Sequence, residues 1–260
     1  MTSTQRLTPA STVHHASAPG APPLTLLGLE PVRAALEYAC MRMMDASDLP
    51  RGDGHAVVVF PGLASDRRAT APLTSFCERL GYDVYDWGRG FNTGPRGEPN
   101  AWLDELATHV DELAGDRGSD LSLIGWSLGG IYAREVAKRL GKRVRQVITI
   151  GTPFAGGSDD THAGLVYRML SGQKPMLDDD MHRQLVTPPP VPTTSIYSRT
   201  DGVVAWQACV QPGGRRDTEN IEVAGSHCGL GWNSEVLQVV ADRLSQRRGR
   251  WKAYRPHVAS

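Results

Sequence analysis

Apolar positions along the chain gather into short, mostly β-branched runs separated by stretches of helical spacing. His55 to Phe60 is the first run and stops at Pro61-Gly62. Leu73, Phe76 and Leu80 then mark a helix, Tyr82 to Trp87 a second strand, and Trp102, Leu103, Leu106, Val110 and Leu113 the apolar face of another helix. Leu121 to Gly125 reads as a buried strand that breaks into a helix carrying Ile131, Tyr132, Val136, Ala137 and Leu140. Val144 to Ile150, Ser195 to Ser198 and Ile221 to Val223 complete the strands, and Val236, Leu237, Val240 and Leu244 the closing helix. Strands that alternate with helices predict an α/β fold: a mostly parallel central sheet with helices on both faces.

Four segments depart from that alternation. Residues 1–22 are rich in Ser, Thr, Ala and Pro, which predicts a disordered leader, and they lack the basic start and apolar core of a secretion signal. Leu24 to Met44 is apolar in parts, but Glu30, Arg33, Glu37 and Arg42 interrupt it, so we expect an amphipathic helix packed on the domain rather than a membrane span. Between Phe154 and Pro192 no strand is evident, and the apolar residues Leu165, Tyr167, Met169, Leu170, Met176 and Met181 suggest a cap or lid over about 155–192. The basic tail, 247–260, interleaves arginines with Trp251 and Tyr254; its aromatic residues are expected to pack on the domain, membrane-surface contact being the weaker reading. One α/β domain over 23–246 remains.

Composition narrows the function classes. The 260 residues are 40% hydrophobic and carry no formal net charge, so no general electrostatic attraction to nucleic acid is expected. No zinc-finger spacing, phosphate loop or cofactor motif appears, and no metal is required. The four cysteines, Cys40, Cys77, Cys209 and Cys228, are not closely spaced and read as free thiols of a cytoplasmic protein, with Cys209 and Cys228, both near the loops of the expected acid and histidine, the one candidate pair for a disulfide. The pattern says nothing of oligomeric state.

The chemistry enters at Gly125-Trp126-Ser127-Leu128-Gly129, a G-x-S-x-G turn between a predicted strand and a predicted helix. Such a turn projects its serine hydroxyl, which needs a base to take its proton and an acid to orient that base. His227, in the loop after the last strand, is the best base, and Asp201, just past an earlier strand end, the best acid. Their rivals lie in the cap (Asp159, Asp160, Asp178, Asp179, Asp180, His162 and His182) or in the chain ends (His14, His15 and His257). Negative charge on the reacting oxygen would meet the backbone N–H groups of Leu128 and of Leu63, the latter in the loop after the first strand.

The motifs Phe60-Pro61-Gly62-Leu63, Gly125 to Gly130, Gly151-Thr152-Pro153, Thr200-Asp201-Gly202-Val203-Val204 and Gly225-Ser226-His227, in this order, resemble the α/β-hydrolase superfamily, and within it bacterial lipases and esterases. That resemblance implies an α/β-hydrolase fold with a cap or lid, and a serine hydrolase cleaving carboxylic esters through an acyl-enzyme. Acyl transfer, or thioester or amide cleavage, would use the same residues, and an inactive scaffold would keep only the fold. Where many relatives carry a histidine before the oxyanion-loop glycine, this chain has Pro61. Trp126, Phe154 and Trp206 are expected to line an apolar acyl pocket for a small-molecule or lipid ester.

Overall fold

A computed structural model describes residues 22–115, 121–156, 179–213 and 215–256. Six strands form one sheet in the order β2-β1-β3-β4-β5-β6, and every pairing is parallel. In chain order they are β1 (Ala56–Phe60), β2 (Asp83–Asp86), β3 (Leu121–Trp126), β4 (Val144–Ile150), β5 (Thr193–Tyr197) and β6 (Thr218–Glu222). The helices are α1 (Leu24–Met43), α2 (Arg67–Leu80), α3 (Pro99–Ala114), α4 (Leu128–Leu140), α5 (Asp179–Val186) and α6 (Ser234–Ser245).

The continuous apolar runs follow from burial of the sheet on both faces. In β1 the side chains alternate: Val58 and Phe60 join the core under α3 and α4, and Val57 and Val59 the core under α2 and α6. The first core is filled by Leu103, Leu106 and Val110 of α3 and Ile131 and Val136 of α4. Leu73 and Phe76 of α2, with Val236, Leu237 and Val240 of α6, fill the second. Helix starts are set locally, as the Asp66 side chain caps α2, Glu98 caps α3 ahead of Pro99, and Asn233 caps α6.

Strand order places the site. Because β1 leads outward to β2 and the chain then crosses back to β3, the loops after β1 and β3 diverge at the carboxyl edge, which opens a crevice between them. Phe60 is paired with Gly125, and Trp126 with Ile150, so the turns after β1, β3 and β4 emerge side by side.

Several expectations shift. β6 begins at Thr218, ahead of Ile221, because at the sheet edge only Ile221 of its five residues is buried and the apolar signal starts late. Most of the expected cap, 157–178, lies outside the described residues, as does the leader before Pro22. The remainder holds α5 and the prolines; Leu185 and Val191 are buried in the main core and Met181 packs on it. In the tail, Tyr254 packs on the second core, as expected of an aromatic there.

Helix α1 does pack on the domain, but with the polarity of an ordinary surface helix reversed. Glu30 is 3% exposed, whereas Leu24, Leu29, Val32, Leu36 and Met43 are all more than half exposed (82%, 51%, 59%, 63% and 85%). No helix among the described residues is long and apolar enough to cross a membrane.

The tightest crossing is that of α4 over β1 and β3. A Cβ on Gly129 would lie 2.3 Å from the Phe60 carbonyl oxygen, and one on Gly125 would lie 2.3 Å from the Gly129 carbonyl oxygen. Gly129→Ala should therefore lower unfolding free energy by about 2 kcal/mol or more. Urea denaturation checks this; an unchanged midpoint would contradict so close a crossing.

Candidate active site

Ser127 sits where β3 hands over to α4, with φ 53° and ψ −124°. Apart from Ala64, it is the only non-glycine residue with positive φ among those described. Such a backbone costs of order 1–3 kcal/mol and persists only where its surroundings impose it. Here they do: the Ser127 N–H donates to the Ile150 carbonyl at 2.8 Å, while the glycines on either side let helix and strands close on the turn.

His227 and Asp201 converge on this serine from the last two loops of the carboxyl edge. The His227 Nε2 lies 3.1 Å from Ser127 Oγ, and Nδ1 lies 2.7 Å from Asp201 Oδ2. The other oxygen of Asp201 accepts the N–H groups of Val203 and Val204 at 2.8 and 2.7 Å, which fixes the plane of the carboxylate. An Nδ1–H donated to Asp201 leaves the Nε2 lone pair facing the serine hydroxyl, the tautomer a base requires. Gly151 makes room for the pair. Its φ is 55°, and a Cβ there would come within 3.3 Å of His227 Nδ1 and 3.5 Å of Asp201 Oδ2.

Burial disfavours a charged His227, but the charge and hydrogen bond of Asp201, with the charge of Glu30, outweigh it and hold the imidazole above its ordinary value of 6.5.

The loop after β1 lies against the serine. A Cβ on Gly62 would be 3.3 Å from Ser127 Cβ, so Leu63 begins beside the Ser127 turn. Among the described residues, the backbone N–H groups of Leu63 and Leu128 donate to no loop or turn carbonyl. The loop is braced by Asn92, fully buried. Its Nδ2 donates to the Pro61 carbonyl at 2.9 Å, its carbonyl accepts the Ala64 N–H at 2.8 Å, and its Oδ1 accepts from Gly94 N–H and Tyr132 Oη–H.

The three aromatic residues expected at an acyl pocket are placed differently from one another. Trp126 is buried, donates its indole N–H to the His227 carbonyl at 3.2 Å and meets Trp232 edge-on, so it supports the histidine loop from the core. Phe154 is buried beneath the Arg134 guanidinium, 3.7 Å from the ring centroid. Only Trp206 is partly exposed; it stacks on Tyr197 and lines a cavity of about 190 Å³ with Asp201 and Val204. Asp180 is exposed and pairs with Arg183. The side chain of Asp179 and the other rivals, save His182 on α5, lie outside the described residues. All four cysteines are free thiols.

Sequence reasoning missed three residues: Asn92, Ser198 and Glu30. Ser198 ties the acid loop to the histidine loop, donating to the Gly225 carbonyl at 2.7 Å and accepting the N–H groups of Thr200 and Gly225. No spacing rule marks them, since each acts through backbone groups brought near by folding. Among the described residues no cluster of three His, Cys, Asp or Glu side chains is placed to hold a metal ion.

Asn92→Ala removes the brace and leaves buried polar groups without partners, and should lower unfolding free energy by about 2–4 kcal/mol. Thermal or urea denaturation measures it, and an unaltered transition would contradict a bracing role.

Comparison with known proteins places this architecture. A model of the "Alpha/beta hydrolase family" matches residues 57–258. The pimeloyl-[acyl-carrier protein] methyl ester esterase of Citrobacter koseri is 31% identical over 81 residues, 31% of this chain and 30% of that one. Its namesake from Shewanella woodyi is 26% identical over 123 residues, 46% and 45% of the two chains. Each alignment thus spans less than half of the relative. Among solved structures, Aspergillus fumigatus lipase B is similar in fold at a TM-score of 0.59 and 17% identity, covering 78% of this chain and 56% of that one. With the family match running from within β1 through the tail, the chain belongs to the alpha/beta hydrolase family.

Proposed function

We propose that this hydrolase cleaves carboxylic esters by way of an acyl-enzyme on Ser127. The observation that carries the reading is the continuous hydrogen-bonded line Ser127 Oγ, His227 Nε2, His227 Nδ1, Asp201 Oδ2, at 3.1 and 2.7 Å. As Oγ attacks the ester carbonyl, His227 takes its proton and Asp201 stabilises the imidazolium. The carbonyl oxygen gains negative charge and meets the N–H groups of Leu128 and Leu63, the first at the amino end of α4 where the helix dipole favours an anion. His227 then protonates the departing alcohol. A water molecule deprotonated by the same imidazole attacks the acyl-enzyme, releasing the acid and restoring the serine.

Ester rather than amide cleavage is supported by the two curated relatives, both named as methyl ester esterases. Within this reading the substrate is a small-molecule or lipid ester of lipase or esterase type, with Trp206 the most accessible of the three expected aromatic contacts. The four free thiols fit a reducing, cytoplasmic setting.

Ser127→Ala should lower ester turnover by about 10⁴-fold or more while leaving the unfolding transition intact. Retained turnover in a p-nitrophenyl ester assay would overturn the reading. A base must be neutral to accept the proton. Since His227 is held above 6.5, kcat/KM should fall as pH drops through a midpoint above 6.5, and stay high on the alkaline side. A profile flat from about pH 5 to 8 would contradict a histidine base.

A further inference from the structure

Helix α1 lies outside the family match at 57–258, yet its buried polar face touches both loops that carry the site. Glu30 Oε1 accepts the N–H of Gly202, the residue after Asp201, and the N–H of His227 itself, each at 2.9 Å. Its Oε2 accepts the N–H of Cys228, also at 2.9 Å. One carboxylate therefore closes three backbone hydrogen bonds across two loops, in a setting where it is almost fully buried. Two turns on, Glu37 accepts the Ser226 N–H at 2.7 Å and Asn233 Nδ2 at 3.2 Å. Between them Arg33 donates to the Thr200 carbonyl at 2.6 Å and to Thr200 Oγ1 at 2.9 Å.

Two glycines accommodate this contact. A Cβ on Gly202 would lie 2.6 Å from the Leu26 carbonyl carbon, and one on Gly229 would lie 2.2 Å from Glu37 Oε2. Both glycines adjoin the acid and histidine segments, and the nearest atom each avoids belongs to α1.

We propose that Glu30 is a positioning residue of the hydrolase: from α1 it locks the Asp201 and His227 loops into one register through three backbone hydrogen bonds. The inference rests on the serine-hydrolase reading given above. Charge-assisted bonds from three N–H groups hold the backbone on both sides of the Asp201–His227 pair, so the 2.7 Å contact is set from outside the pair. The negative charge of Glu30 adds to that of Asp201 in favouring imidazolium. The imidazole also meets Asp201, Ser127 and the Trp126 ring, while on α1 Arg33 faces Thr200 and Glu30, and Glu37 faces Ser226 and Asn233. Arg33 Nη1 lies 3.8 Å from Glu30 Oε1, and its charge opposes that of the carboxylate.

The test compares Glu30→Gln, Glu30→Asp and Glu37→Gln with the parent chain, reading the His227 imidazole midpoint by NMR titration and kcat/KM for a p-nitrophenyl ester against pH. Loss of charge in Glu30→Gln should lower the imidazole midpoint by roughly half a pH unit or more, move the acid limb of kcat/KM the same way, and lower kcat about tenfold. Glu30→Asp keeps the charge but is a methylene short, so its midpoint should remain nearer the parent value while kcat falls. Glu37→Gln, which touches none of the three N–H groups, should leave the midpoint in place. An unchanged midpoint in folded Glu30→Gln, or equal shifts in Glu30→Gln and Glu37→Gln, would overturn the proposal. A parent chain with a titrating His227 but no ester turnover would instead overturn the hydrolase reading, and the NMR midpoints would still decide the role of Glu30.

Discussion

The site depends on how closely α4 crosses the ends of β1 and β3. With Cβ atoms missing at Gly125 and Gly129, helix and strand backbones pass at distances no side chain would tolerate. That crossing leaves Ser127 as the one link between strand and helix, and its positive φ is the geometric result. The serine hydroxyl is thereby projected from the carboxyl edge instead of turning into the core. Other features of the site are arranged against this fixed point: Gly62 lies against Ser127, the Leu128 N–H opens α4, and Gly151 leaves space for the imidazole.

The rest of the site is made of loops, and loops need polar partners to hold one conformation. Three buried side chains supply them. Asn92 braces the turn after β1, Ser198 joins the acid loop to the histidine loop, and Glu30 reaches both of those loops from α1. Each satisfies backbone groups that would be costly to bury alone. This explains why α1 packs with Glu30 inward: its main contribution is hydrogen bonding to loops, so Leu24, Leu27, Leu29, Leu36 and Met43 are left on the outside while Met41 packs on the second core.

Strands and helices of the sheet were legible because a parallel sheet is covered on both faces, so β1 is written as the unbroken apolar run Val57–Phe60, and β4, despite Arg145, Gln146 and Thr149, keeps Val144, Val147, Ile148 and Ile150. Ser127, Asp201 and His227 were legible because each follows a strand and the order serine, acid, histidine suits that topology. β6 was read late because, at an edge, four of its five positions are not buried. Glu30, Asn92 and Ser198 were not legible at all. A glutamate amid apolar residues reads as the solvent face of a helix, and an asparagine in a glycine-rich loop reads as a turn; their partners are backbone groups as many as 198 residues away. Trp126 illustrates the same gap: adjacency to the serine suggested a substrate wall, whereas folding points its indole at the His227 carbonyl.

The central claim is that the Ser127 hydroxyl is activated by its hydrogen-bonded neighbours. Intact-mass analysis after treatment with a fluorophosphonate, followed by peptide mapping, tests it most directly. The account predicts one adduct per chain, located on Ser127 and absent from Ser127→Ala. An unlabelled parent chain, or an adduct mapped to another residue, would contradict it.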